Sequence, residues 1–161
     1  MVLNAGPFSS RLGDAVLGEP ATLALVALRD ADLPEIERLL RDEEVARWWR
    51  ELDMDEMRAA PGADDYVSRF KIVAAHKTIG YAHAYHANRD DFWVKFSVPR
   101  ETFGIDLSIG DPAARNRGLG RAATRLLVER LFAWPEVIRV QIDPEATNER
   151  AIADPLLVPA P

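Results

Sequence analysis

Glu101 to Leu127 reads ETFGIDLSIGDPAARNRGLGRAATRLL, and its spacing changes twice. Phe103, Ile105, Leu107 and Ile109 alternate with Thr102, Gly104, Asp106 and Ser108, the period of a strand with one apolar face. Asp106 therefore points away from the apolar layer. From Gly118 onward Leu119, Ala122, Ala123, Leu126, Leu127 and Leu131 recur at helical intervals until Pro135 ends the run. Between strand and helix, Arg115, Arg117, Arg121 and Arg125 crowd around Gly118 and Gly120. The first N–H groups of a helix lack intrahelical partners, and glycine lets a backbone approach a phosphate. The segment reads as a diphosphate seat.

Upstream, Thr22 to Leu28 reads as a strand, followed by an Asp30 or Asp32 cap and a helix carrying Leu33, Ile36, Leu39 and Leu40. A second short helix carries Val45, Trp48 and Trp49, and Asp53 to Asp65 reads as a loop or a short helix plus loop. YVSRFKIVAA and TIGYAHAYHA form a hairpin joined through His76 and Lys77. Downstream, VIRVQID is a strand and Asn148 caps a last short helix, NERAI. The order predicts an α/β fold with a mixed sheet.

The 161 residues suit one domain, with residues 1–20 an N-terminal extension and 153–161, rich in proline, an atypical tail. With no cysteine, thiolate metal sites and cysteine nucleophiles are excluded, and His83 and His86 fall on opposite faces of an extended strand, so no metal is expected. No apolar run is long enough to span a bilayer and the N-terminus lacks a signal-peptide core, which points to a cytoplasmic protein. A net charge of -6 argues against nucleic acid as a partner. Charge is also unevenly spread. Asp30 to Asp65 holds thirteen of the 26 acids, whereas Ala113 to Arg130 holds five arginines and the single acid Glu129, so one region suits a cation and the other an anion.

Three phosphate motifs compete for the glycine stretch. A Walker A loop needs lysine then serine or threonine after its second glycine, where Arg121 and Ala122 stand. GLGRAA fits a dinucleotide fingerprint, but GDPAARNR separates it from its strand and only about forty residues follow. The third pattern, R-x-x-G-x-G, is present as Arg115-Asn116-Arg117-Gly118-Leu119-Gly120. It resembles the acetyl-CoA loop of the GNAT acetyltransferases. With Trp48-Trp49, IGYAHAY, GID at Gly104 to Asp106, RNRGLG and VQIDPEATNERAI in order, the chain from Thr22 to Ile152 is similar to the aminoglycoside 6'-N-acetyltransferases of that superfamily.

The resemblance implies a GNAT-like mixed, mostly antiparallel central sheet flanked by helices, with the last strands missing. It implies acetyl-CoA as co-substrate, held by Arg115, Asn116, Arg117, Gly118, Leu119, Gly120, Arg121 and Asn148. Asp106 is implied as general base near the amine, Asp91 and Asp143 as acids that bind a cationic sugar, and Trp49 as an aromatic wall. A backbone N–H on the strand of Gly104 and Ser108 is implied as the oxyanion donor. The chain departs from the family where a tyrosine, the proton donor to the leaving thiolate, and one or two further strands are expected. Tyr66, Tyr81 and Tyr85 all lie upstream, so the chain reads as truncated or frameshifted, or completed by a second chain. A monomer or a homodimer fits. The alternative activities are a siderophore hydroxylysine N-acyltransferase and a non-catalytic acyl-CoA-binding remnant.

Overall fold

The computed structural model describes residues 15–16, 23–49, 54–58 and 66–153; the proline tail from residue 154 and the stretch with Pro61 and Gly62 lie outside the described residues. Six strands form one sheet in chain order: β1 (Ala15–Val16), β2 (Leu23–Ala27), β3 (Val67–Ala74), β4 (Lys77–His86), β5 (Thr102–Ile109) and β6 (Arg139–Gln141). All neighbours are antiparallel except β5 and β6, which run parallel. A parallel pair needs a crossover, supplied here by the long helix α4 (Leu119–Phe132). The expected mixed, mostly antiparallel sheet is thus present.

Helix α1 (Leu33–Leu40) buries Leu33, Ile36, Leu39 and Leu40, the four residues its spacing selected. The expected aspartate cap takes another form. Asp32 occupies the cap position, but its carboxylate accepts from the Arg29 amide at 3.1 Å and from Lys71 Nζ at 2.6 Å rather than from the helix. The short helix α2 (Glu43–Ala46) does receive a side-chain cap, Asp42 accepting from the Glu44 amide at 3.1 Å. Trp48 and Trp49 lie just beyond it. A further short helix, α3, spans Met54–Arg58.

The hairpin turns one residue earlier than expected. Ala75 and His76 form it, with φ of 48° and 65°, and Lys77 already pairs with Ala74. Two left-handed residues are what a right-twisted two-residue hairpin demands. Strand β6 is shorter than VIRVQID because Val137 finishes the turn from α4, donating to Trp134 O at 3.1 Å. At its other end β5 and β6 stay in register only from Thr102↔Arg139 to Gly104↔Gln141. Beyond Gly104 they separate.

Each sheet face has its own core. On one face Leu25, Phe70, Ile72, Ala82, Ala84, Phe103 and Ile105 pack with Ala123, Leu126, Leu127 and Leu131 of α4. On the other, Tyr81 packs with Ile36, Leu39, Leu40 and Val45. Truncating a fully buried residue such as Leu127 to alanine would cost about 2–5 kcal/mol. The two layers sandwich the first half of β5, and the candidate site residues Asp106 and His83 stand on that strand and its neighbour β4. No helix among the described residues is long and apolar enough to cross a membrane.

Candidate active site

Where β5 and β6 part, a groove of about 890 Å³ opens, walled by Leu107, Ser108 and Ile109 on one side and by Ile142, Asn148 and Arg150 on the other. Trp48 and Trp49 border it, and its floor reaches Gly118, Gly120 and Arg121 at the start of α4. The first intrahelical bond there is Ala122 N to Gly118 O at 3.0 Å. The amides of Leu119, Gly120 and Arg121 therefore have no carbonyl of their own helix to meet, and they form its positive pole. Gly118 makes the entry turn at φ 75°, and a Cβ there would meet nothing within 4 Å. The backbone is exposed at the point where an anion would sit.

The arginines do not all serve as free charge. Arg115 turns inward, donating from Nε to Ile109 O at 3.0 Å and from its terminal nitrogen to Gly110 O at 2.9 Å and to Asp42. Its charge is already matched, and it clamps the loop to the cap of α2. Burial alone would raise the Asp42 carboxyl, but the hydrogen bond and charge of Arg115 outweigh it and hold that group below its ordinary value. Asn116, with φ 59°, and Arg121 line the groove; Arg117 is exposed and does not. Arg150, which sequence reasoning passed over, does. Asn148 caps its helix α5 (Glu149–Ile152) by accepting from the Ala151 amide at 3.2 Å, so its position on the groove wall is fixed.

On the α1 face of the sheet, Tyr81, His83 and Tyr85 follow one another at alternate positions of β4, opposite Ser108, Asp106 and Gly104 of β5. His83 Nε2 lies 3.1 Å from Asp106 Oδ2, and its Nδ1 lies 3.2 Å from the Tyr81 hydroxyl. Trp49 meets the Tyr81 and His83 rings edge-on at 5.4 and 5.8 Å. The Tyr85 ring lies flat over Gly104, where any Cβ would fall 2.0 Å from it, and its hydroxyl accepts from Trp93 Nε1 at 2.7 Å. Burial, then the Asp106 charge, then those of Asp90 and Asp143, push the Tyr85 phenol well above its ordinary 10.0 despite the Trp93 bond. Three carboxylates thus act by their charge on one buried phenol.

Of the acids selected from sequence, Asp106 touches this cluster through His83, whereas Asp143 and Asp91 are both exposed, and Asp143 acts on Tyr85 only through its charge. Asp90, the neighbour of Asp91, is within electrostatic reach of Tyr85, and its Oδ1 accepts from the Phe92 and Trp93 amides at 3.0 and 3.1 Å, setting Trp93 in place. Tyr81, His83, Tyr85, Asp90 and Trp93 were missed. The signal for the first three was available: IGYAHAYH at strand period puts them on the face of Asp106. His83 and His86 do lie apart, His86 packing on Phe103 at 4.7 Å, and no group able to hold a metal occurs among the described residues.

The Acetyltransferase (GNAT) domain family matches residues 29–154. The chain is 27% identical to the aminoglycoside N(6')-acetyltransferase type 1 of Klebsiella pneumoniae over 90% of its own length and 79% of the relative's. Against the enzyme of the same name from Serratia marcescens it is 28% identical over 81% of the chain and 70% of the relative. The crystal structure of the aminoglycoside acetyltransferase AAC(6')-Ib with coenzyme A and kanamycin superposes with a TM-score of 0.72 at 29% identity, covering 81% of this chain and 79% of that one.

Proposed function

The chain belongs to the GNAT acetyltransferase family, and we propose that it transfers the acetyl group of acetyl-CoA to an amine of a polycationic small molecule, the 6'-amine of an aminoglycoside. One observation carries the reading. A groove with an open helix N-terminus at one end runs along β5 to Trp49, whose ring meets that of His83, and His83 in turn lies 3.1 Å from Asp106. An anion seat and a cation seat are served by a single strand. Relatives with these two ligands support the assignment, since AAC(6')-Ib has been crystallised with coenzyme A and kanamycin.

In this arrangement the diphosphate of acetyl-CoA meets the amides of Leu119, Gly120 and Arg121, with Arg121, Arg150 and Asn148 beside it. The acyl arm lies against the edge of β5 that β6 leaves uncovered beyond Gly104. An alkylammonium has a pKa of about 10, so about one amine in a thousand is neutral at pH 7. Asp106 takes the proton, the nitrogen lone pair attacks the thioester carbonyl, and the free edge of β5 offers backbone amides to the oxyanion. The C–S bond then breaks, and the thiolate, of ordinary pKa about 8.5, leaves as a fair leaving group. Three acids whose charges reach one phenol favour a polycation over an acceptor that carries its own carboxylate, such as a hydroxylysine.

A thiol-release assay with acetyl-CoA tests this against kanamycin, ribostamycin, hydroxylysine and neutral amines. Release with the aminoglycosides, accompanied by a mass gain of one acetyl group on them, is the expected result. Binding of CoA without release on any amine would leave a cofactor-binding protein and remove the enzyme reading.

A further inference from the structure

We propose that His83 is the positioning residue of the base: its imidazole holds the Asp106 carboxylate by one oxygen so that the other faces the ammonium. The proposal rests on the acetyl-transfer reading above. Asp106 stands on a strand with its side chain 37% exposed, and a carboxylate so placed turns freely about its terminal torsion unless something holds it. His83 Nε2 lies 3.1 Å from Oδ2. A carboxylate can only accept, so at this contact the imidazole donates and Nε2 carries the hydrogen. On the other side of the ring, Nδ1 lies 3.2 Å from the buried Tyr81 hydroxyl, a second polar contact that helps to orient the imidazole.

The ring has no freedom to leave this pose. Tyr81 and Tyr85 both stand 5.6 Å from it and Trp49 stands 5.8 Å away, so its plane is set from three sides. The chemical step keeps its balance without moving the histidine's proton. The ammonium N–H bond breaks, its proton goes to the free oxygen of Asp106, and its electron pair remains on nitrogen to form the bond to the acetyl carbon. His83 donates throughout, and it touches neither amine nor thioester.

Two variants separate the N–H from the ring. His83→Gln keeps a donor without the aromatic ring, and His83→Phe keeps the ring without a donor; calorimetric CoA affinity close to wild type confirms that each is folded. The expected result is kcat within about fivefold of wild type for glutamine and a loss of about 10²-fold for phenylalanine, with the acceptor KM moved far less. The opposite ranking, phenylalanine active and glutamine impaired, would make His83 a packing ring and overturn the proposal. The tautomer supplies a readout that needs no turnover: in the unliganded protein the ¹⁵N shifts of His83 should report Nε2–H, and should move in Asp106→Ala. An Nδ1–H tautomer, or shifts indifferent to Asp106, would also overturn it. Absence of acetylation with the Nε2–H tautomer intact would instead count against the acceptor reading alone.

Discussion

The two ends of the site are built in different ways. The proposed anion seat draws its backbone amides from one continuous stretch, Leu107 to Arg121, opened by a glycine turn, with Asn148 and Arg150 on the facing wall. The proposed cation cleft would draw on side chains from separate elements: Trp49 after α2, Tyr81, His83 and Tyr85 on β4, Asp90 and Trp93 in the following loop, Asp106 on β5 and the charge of Asp143 after β6. A backbone site tolerates most substitutions and fails when a side chain intrudes. A side-chain site fails when one member is removed. Arg115, bonded to both Gly110 and Asp42, ties the glycine loop to the cap of α2, the helix that precedes Trp49.

The largest effect should come from the cleft. Asp106→Asn should lower kcat by about 10² to 10⁴, the usual contribution of a positioned general base, while calorimetry finds CoA affinity nearly unchanged. A variant as active as wild type would place the base on another group. Gly118→Asp attacks the seat instead. A side chain there enters open space, so the cost to the fold is the strain of the left-handed φ, which aspartate bears better than most residues, while its charge would stand where phosphate oxygens are proposed to sit. CoA affinity should fall by on the order of tenfold or more, since a helix N-terminal charge interaction reaches about 2 kcal/mol. Unchanged affinity in the folded variant would remove the seat.

The link between the regions is tested by stability. Asp42→Asn leaves the half-buried Arg115 without its counter-charge, and a lost charged hydrogen bond of this kind costs about 1–3 kcal/mol, visible as a lower Tm. A Tm equal to wild type would mean that Gly110 and Ile109 carbonyls alone suffice to hold Arg115.

Both pH limbs follow from shifted groups. The Lys77 hydrogen bond holds the Asp111 carboxyl below its ordinary 3.8, and Asp32 and Asp42 are lowered as well, because Lys71 and Arg115 outweigh the opposing effect of burial. A depressed folded-state pKa adds stability that is present above about pH 4 and is lost as pH falls through the folded value. Tyr85 has the opposite sign. Its folded value is raised, so its contribution is full below about pH 10 and declines as pH rises beyond, when only the unfolded chain ionises. Melting scans should show both limbs, and Tyr85→Phe should flatten the alkaline one; an unaltered alkaline limb would contradict the burial of that phenol among carboxylates. The smallest effect is that of salt. Acceptor affinity should weaken gradually as ionic strength rises, because screening sets in beyond about 8 Å at physiological strength; a flat dependence would argue against a cleft that works by charge.

The strand, turn and helix start of the proposed seat were legible from sequence because they are local, whereas Arg150 on the facing wall was not. Alternation from Thr102 to Ile109 fixed a strand, glycines marked the turn, and helical spacing from Leu119 fixed the helix that supplies the amides. The cleft was legible only in part. Asp106 and Trp49 entered through a family resemblance, as did Asp91; that its neighbour Asp90 is the acid whose charge reaches Tyr85 was not legible, because adjacent aspartates in a loop carry no period to tell them apart. Arg115 shows the complementary limit. Its charge is visible in the sequence, but its pairing with Asp42, distant in the chain, depends on how α1 and α2 pack on the sheet.

The three-residue ladder between β5 and β6 also bears on how the molecule comes together. Strands β3, β4 and β5 are sequential antiparallel neighbours, so their pairing closes short loops. Strand β6 must wait for the whole of α4 to form and dock, and it then gains only a few parallel hydrogen bonds. Its long crossover predicts that it pairs later than β3, β4 and β5 and exchanges its amides faster than they do. The wall of the groove that carries Ile142 and Asn148 follows directly from it, so a ligand seated between β5 and that wall fastens this late-pairing seam of the fold. Amide exchange at Arg139 to Gln141, with and without coenzyme A, would read that fastening directly.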